Sequence, residues 1–210
     1  MTYSVLAARA AIGSAVLALA ALAALHLLKP DIHPARTMIS QYALGRFGWV
    51  MALCFAAFAA GSASVFIALV PYAHSLVVAI GLGLLAVAAV GLAMAARFPM
   101  DPVSTPPAQM SFTGRMHGVA FLLGVPCMVL AVLLLSLALV SLGSHRLLPL
   151  VTITVVVWLS LVIMIAIMLM VGPGKEPDPN GPERFIGWPN RLLMVGYAAW
   201  LMVAAWPMAF

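Results

Sequence analysis

Six unbroken apolar stretches, each about twenty residues or longer, decide what this chain can fold into. They run approximately over Val5–Leu28, Phe47–Val70, Ser75–Ala96, Met116–Leu142, Leu147–Val171 and Trp188–Phe210. A helix needs roughly 20 apolar residues to cross the ~30 Å hydrocarbon layer. Lipid offers no partner to a backbone N–H or C=O, so only helices or a closed barrel can span it. The run from Val151 to Val171 is continuously apolar and lacks the alternation of a barrel strand. The expected fold is therefore all-α: a polytopic membrane protein with six transmembrane helices in one up-and-down bundle, a single domain over residues 1–210. Hydrophobic residues are 65% of the chain and DEKR 7%, with a mean hydropathy of +1.17, far from the mixture of a soluble domain. Arg9 before an alanine-rich run has the look of a secretory signal. The run exceeds the usual h-region of about 7–15 residues, so a retained first helix is expected.

Nearly all the charge lies in three loops, Lys29 to Arg46, Arg97 to Arg115 and Gly172 to Arg191, each following an odd-numbered stretch. In an up-and-down bundle these loops share one side of the membrane. That side carries Lys29, Arg36, Arg46, Arg97, Arg115, Lys175, Arg184 and Arg191, eight bases against Arg9 and Arg146 opposite. Basic residues beside helix ends favour the cytoplasm, so the expectation is a multi-pass inner-membrane protein with cytoplasmic motif loops. All five acids, Asp31, Asp101, Glu176, Asp178 and Glu183, share the same side. A net charge of +5 and a pI near 9.8 would point to nucleic acid in a soluble protein. Here the bases are spread over loops and helix ends, where anionic head groups are the nearer partner, and no nucleic-acid partner is expected.

The stretches differ in character. The first three are rich in small residues, with alanines from Ala7 to Ala24, Ala56-Ala57, Gly61, Gly81, Gly83 and Gly91, which allow close helix approach. The fifth, residues 147–171, is bulky all round and is expected to face lipid or a protein partner. Pro126 inside the fourth lacks an N–H and predicts a kink. Arg46, Arg115 and Arg184 recur at the start of the even-numbered stretches. Three similar hairpins give such spacing without any true repeat. Cys54 and Cys127 stand alone inside predicted helices, with no CxxC pair.

Polar residues converge in the motif loops. In the first, Ser40 is placed to cap a short helix whose Tyr42, Arg46 and Trp49 share a face, with His33 upstream. The second brings Asp101 between prolines, then Thr113 and His117 one turn apart around Arg115. The third has the turn Asp178-Pro179-Asn180-Gly181-Pro182, followed by Arg184, Trp188 and Arg191 on one helical face. Asp101 is expected beside His117 beneath the first loop, paired with Arg115 or Arg46 because a lone carboxylate there is costly. Two chemistries compete. Arginines beside tryptophans suit an anionic head group, giving a ligand set of His33, Tyr42, Arg46, Trp49, Thr113, Arg115, Arg184, Trp188 and Arg191. A nucleophilic arrangement would use Ser40, with His117 as base and Asp101 orienting it. His26, His33, Asp101 and His117 have the ligand types for a metal, but no HExxH or other compact spacing assigns one. Haem needs histidines facing each other inside the bundle, and only His26 and His117 are placed for that. No cofactor is identified by any motif.

The run His33-Pro34, then Ile39-Ser40-Gln41-Tyr42-Ala43-Leu44-Gly45 and Gly48-Trp49, followed by Phe98-Pro99-Met100-Asp101-Pro102 and Gly114-Arg115-Met116-His117, resembles the bacterial and archaeal membrane proteins classed as domain of unknown function family 998. The element Ile39-Ser40-x-Tyr42-x-x-Gly45 and the histidine opening the fourth helix are similar to the damage-regulated autophagy modulator family. The resemblance implies a six-helix integral membrane protein with these polar loops together, and implies no reaction. From the residues themselves the leading expectation is recognition of an anionic lipid or amphipathic molecule. A membrane-embedded hydrolase or transferase using Ser40, Asp101 and His117, and an accessory subunit of a larger membrane complex, are the alternatives.

Overall fold

The computed structural model describes residues 3–141, 147–171 and 181–210. Within them lie six long helices: α1 (Tyr3–Leu28), α2 (Gly48–Leu69), α3 (Leu76–Arg97), α4 (Phe112–Ser141), α5 (Leu147–Val171) and α6 (Gly187–Ala209). All six are long and apolar enough to cross a membrane. They pack in chain order around a ring. Extensive contacts join α1 to α2, α2 to α3, α3 to α4, α5 to α6 and α6 back to α1, while α4 touches α5 only lightly.

Small residues set the tight side of the ring. Ala8, Ala11, Ala15, Ala18, Leu22 and Leu25 recur every three or four residues along α1 and are buried. Such a stripe lets backbones approach where lipid removes the hydrophobic incentive to associate. The approach is close enough for Cys54 Sγ to reach the Ala18 carbonyl at 3.4 Å. Between α3 and α4, a Cβ on Gly91 would run into the backbone of Gly124, so glycine is required there.

Hydrogen bonds across the apolar interior fix the remaining helices. Ser62 Oγ meets the Tyr197 hydroxyl at 2.6 Å. Ser136 Oγ accepts from both Thr154 Oγ1 and Trp200 Nε1, each at 2.9 Å, tying α4, α5 and α6 together. In membranes such bonds average about 0.6 kcal/mol, so they choose register more than they supply stability. Helix α5 leans on α6 through Val157 at Gly196 and leaves Val151, Val155, Leu159, Val162 and Leu169 exposed. Pro126 lies inside α4, which remains one helix through it.

Helix ends differ from the sequence expectation by a residue or two except at α4, which starts four residues early. Ser111 caps it, accepting from Gly114 N at 3.0 Å. The run after Ser40 is no single helix either. A 3-10 turn covers Ile39–Ala43 with no side-chain cap, and Gly45 and Phe47 then take left-handed backbone at φ 69° and 66°. The chain doubles back so tightly that a Cβ on Gly48 would strike the Ala43 carbonyl. Tyr42, Arg46 and Trp49 therefore share no face. Lys175, Glu176, Asp178, Pro179, Asn180, His145 and Arg146 lie outside the described residues.

Candidate functional site

Two buried cations hold the first motif loop onto the bundle. Arg191 on α6 is 6% exposed. Its Nη1 donates to the carbonyls of Pro34 at 2.5 Å, Thr37 at 2.7 Å and Gly187 at 3.1 Å. Its Nη2 donates to the Tyr42 hydroxyl at 3.1 Å and its Nε to His26 Nε2 at 2.9 Å. Because His26 Nε2 accepts, its Nδ1 carries the proton, donated to the Leu22 carbonyl at 2.7 Å. Lys29, 7% exposed, donates to the carbonyls of Tyr42 at 3.1 Å and Leu44 at 2.5 Å. Neither cation has a carboxylate partner among the described residues. Gly187 completes the seam: its N–H donates to Ala35 O at 2.8 Å, and any Cβ would collide with the Pro34 carbonyl.

The second motif loop builds a helix cap rather than an ion pair. Asp101 accepts from Ser111 N and Ser111 Oγ, both at 2.7 Å, placing its charge at the positive N-terminus of α4. Gly114 leaves the room, since a Cβ there would overlap that carboxylate. The expected arginine partners go elsewhere. Arg115 donates to Met110 O at 2.8 Å, and Arg46 lies 4.6 Å over the Phe47 ring. The helix dipole and two donors already stabilise the carboxylate, so an arginine is unnecessary. Thr113 does not cap the helix but bonds Ser111 Oγ at 2.8 Å.

His117 is oriented by backbone. Its Nδ1 donates to Phe98 O at 2.9 Å, and no hydrogen bond joins it to Asp101. With Nδ1 protonated, Nε2 is left with its lone pair and no protein partner among the described residues. His117 lines a narrow cavity of about 60 Å³ with Ser40 and Asn190. Apolar walls come from Phe55, Gly91, Leu92, Phe121, Gly124 and Met128. On α4, Met128 lies eleven residues beyond His117, about 16 Å along the helix axis. The cavity thus begins under the first loop and runs down between α3, α4 and α6. Ser40 Oγ has no hydrogen-bond partner among the described residues. Asn190 Oδ1 accepts from Ile39 N at 2.8 Å, and its Nδ2 makes one long contact to Met164 Sδ at 3.6 Å.

The remaining sequence candidates scatter over the motif side. Trp49 and Trp188 are exposed, Arg184 lies 4.6 Å over the Phe185 ring, and His33 holds a local turn through Ala35 N at 3.2 Å. Arg191 is buried while Trp188 is exposed, so Arg184, Trp188 and Arg191 do not form one face. Among the described residues no three of His, Cys, Asp or Glu come together. Of the expected trio, Ser40 and His117 share a cavity and Asp101 does not join them. Asn190 was missed, although a carboxamide within an apolar span is itself a signal.

The sequence matches a family of proteins of unknown function, DUF998, over residues 12–207. The chain belongs to that family. No curated protein and no solved structure matches it, and the similarity to the autophagy modulators finds no counterpart in these comparisons. This DUF998 chain is an integral membrane protein, and the family brings no assigned reaction.

Proposed function

We propose that this protein binds an anionic membrane amphipath, its chain in the cavity between α3, α4 and α6 and its head group under the first motif loop. The cavity carries the reading: a long apolar slot whose polar groups, Ser40, His117 and Asn190, gather at the membrane-surface end. Binding pockets for such molecules are mostly apolar with a few placed polar groups. The slot is thin, and Met38, Met128 and Met194 in its lining supply flexible side chains that can repack around a chain. Preference for an anion follows from Lys29 and Arg191, buried without a carboxylate, and from exposed Arg46, Arg115 and Arg184 on the same side. Arg191 and Tyr42 serve as scaffold here, and the exposed arginines meet the head group. We place these loops on the cytoplasmic side of the inner membrane, with α5 facing lipid or a protein partner.

Native mass spectrometry of protein extracted in mild detergent tests the reading. Wild type should retain an anionic lipid, Val125→Phe should lose it by filling the slot, and the triple Arg46/Arg115/Arg184→Ala variant should retain neutral species instead. Undiminished anionic lipid on the folded Val125→Phe protein would overturn the proposal.

A further inference from the structure

Three polar side chains at the head of the cavity keep polar atoms that the structural tasks described above do not use. The first-loop clasp uses Arg191, Lys29, His26 and Tyr42, and the α4 cap uses Asp101, Ser111 and Gly114. Ser40 Oγ takes part in neither. His117 has one nitrogen committed to Phe98 O and the other open. Asn190 Nδ2 has two N–H groups and one weak sulfur contact at 3.6 Å. All three line one cavity.

We infer that this cavity is an acyl-transfer site, with Ser40 as nucleophile, His117 as general base and Asn190 as oxyanion donor, acting on a carboxylic ester of the bound amphipath. The inference rests on the proposed binding function, which supplies the substrate class. A serine hydroxyl needs a neighbouring base, and the base needs a group that fixes its tautomer. Phe98 O performs that second role: by accepting a hydrogen bond from Nδ1–H it keeps the proton on Nδ1 and leaves Nε2 as the acceptor. Backbone is a rigid orienter, held by the end of α3, where Phe98 N donates to Met94 O at 2.8 Å. Asn190 Oδ1 is engaged by Ile39 N, which leaves Nδ2, in one 3.6 Å contact with Met164 Sδ, as the amide's available donor. Removing one oxyanion donor costs roughly 10²–10³ in rate in the enzymes where it has been measured.

The chemistry balances within these groups and water. Ser40 Oγ bonds to the ester carbonyl carbon while His117 Nε2 takes the hydroxyl proton. The tetrahedral oxyanion accepts from Asn190 Nδ2. The bond to the alcohol oxygen then breaks, and that oxygen leaves with the proton from His117. Water, or the hydroxyl of a second amphipath, attacks the acyl-Ser40 ester by the same path, giving up its proton to His117. Ser40 leaves and recovers that proton.

An alkyl fluorophosphonate tests this on the detergent-solubilised full chain, read by intact mass. Wild type should gain one adduct, on Ser40, with loss of fluoride. Ser40→Ala should gain none. His117→Asn should label about 100-fold more slowly, within the usual span of general-base catalysis. Asp101→Asn, a cap residue outside the cavity, should label within twofold of wild type. Lipid retention by native mass spectrometry on the same samples separates the two proposals. Retained lipid with no Ser40 adduct overturns the acyl-transfer site and leaves binding intact, whereas absence of retained lipid removes both. Loss of labelling in a folded Asp101→Asn protein would overturn the role given to Phe98.

Discussion

Asp101 and Arg191 show how a charged residue's type can be plain in the sequence while its partner is not. Both were legible as functional or structural polar residues at a bundle mouth, and both found partners that no motif announces. Asp101 took a serine and a helix end, and Arg191 took three carbonyls, a histidine and a phenol. Backbone carbonyls carry no sequence signature, so a pairing rule built on opposite charges looks in the wrong place. Two outcomes follow. Asp101→Ala should destabilise the protein by about 1 kcal/mol, the usual scale of a lost helix cap. Arg115→Ala should cost less than half of that, because Arg115 is exposed and not paired with Asp101. Thermal unfolding in a single detergent compares them, and equal losses would restore an ion pair. Arg191→Lys should be damaging despite the retained charge, since an ammonium cannot reproduce the guanidinium fork. Each orphaned buried carbonyl costs on the order of 1–3 kcal/mol, so a drop of several degrees in Tm is expected, with faster proteolysis at the first loop.

At the scale of the element, the six spans were readable because hydrophobic length is a property of the chain alone. Their starts were less so. The α4 start moved from Met116 to Phe112 because Ser111 lies where its hydroxyl can accept from Gly114 N. The turn into α2 depends on left-handed backbone at Phe47, a conformation uncommon for a bulky residue. Small-residue stripes announced close packing but not which glycine bears it. The α3–α4 crossing supplies an asymmetric test. A Cβ on Gly91 meets Gly124 N at 2.6 Å and its Cα at 2.7 Å, whereas a Cβ on Gly124 meets nothing nearer than 3.7 Å. Gly91→Ala should therefore force the helices apart, costing about 1–3 kcal/mol as overpacking does. Gly124→Ala should be close to neutral. Equal effects on the thermal unfolding of the two variants would contradict this crossing.

For the whole molecule, the ring of helices converts loop chemistry into a sided protein. The cavity lies beneath the loop that Lys29 and Arg191 hold down, so under the proposed binding function its ligand comes from the leaflet on that side. Which leaflet that is depends on the basic residues, and packing sharpens the count. Lys29 and Arg191 are buried and committed to the first motif loop, so their presence there has a structural reason independent of topology. Setting these two aside from the eight leaves six, Arg36, Arg46, Arg97, Arg115, Lys175 and Arg184, against Arg9 and Arg146. The bias survives, and it predicts cytoplasmic motif loops. Single-cysteine reporters read it directly, starting from a Cys54→Ala, Cys127→Ala background. Ser104→Cys lies in the exposed second motif loop, and His74→Cys in the turn between α2 and α3 on the opposite side. A membrane-impermeant maleimide added to intact inner-membrane spheroplasts should label position 74 at once and position 104 only after the membrane is opened. The reverse pattern would put the cavity mouth in the outer leaflet, and the proposed function would then require the lipid to be drawn from there.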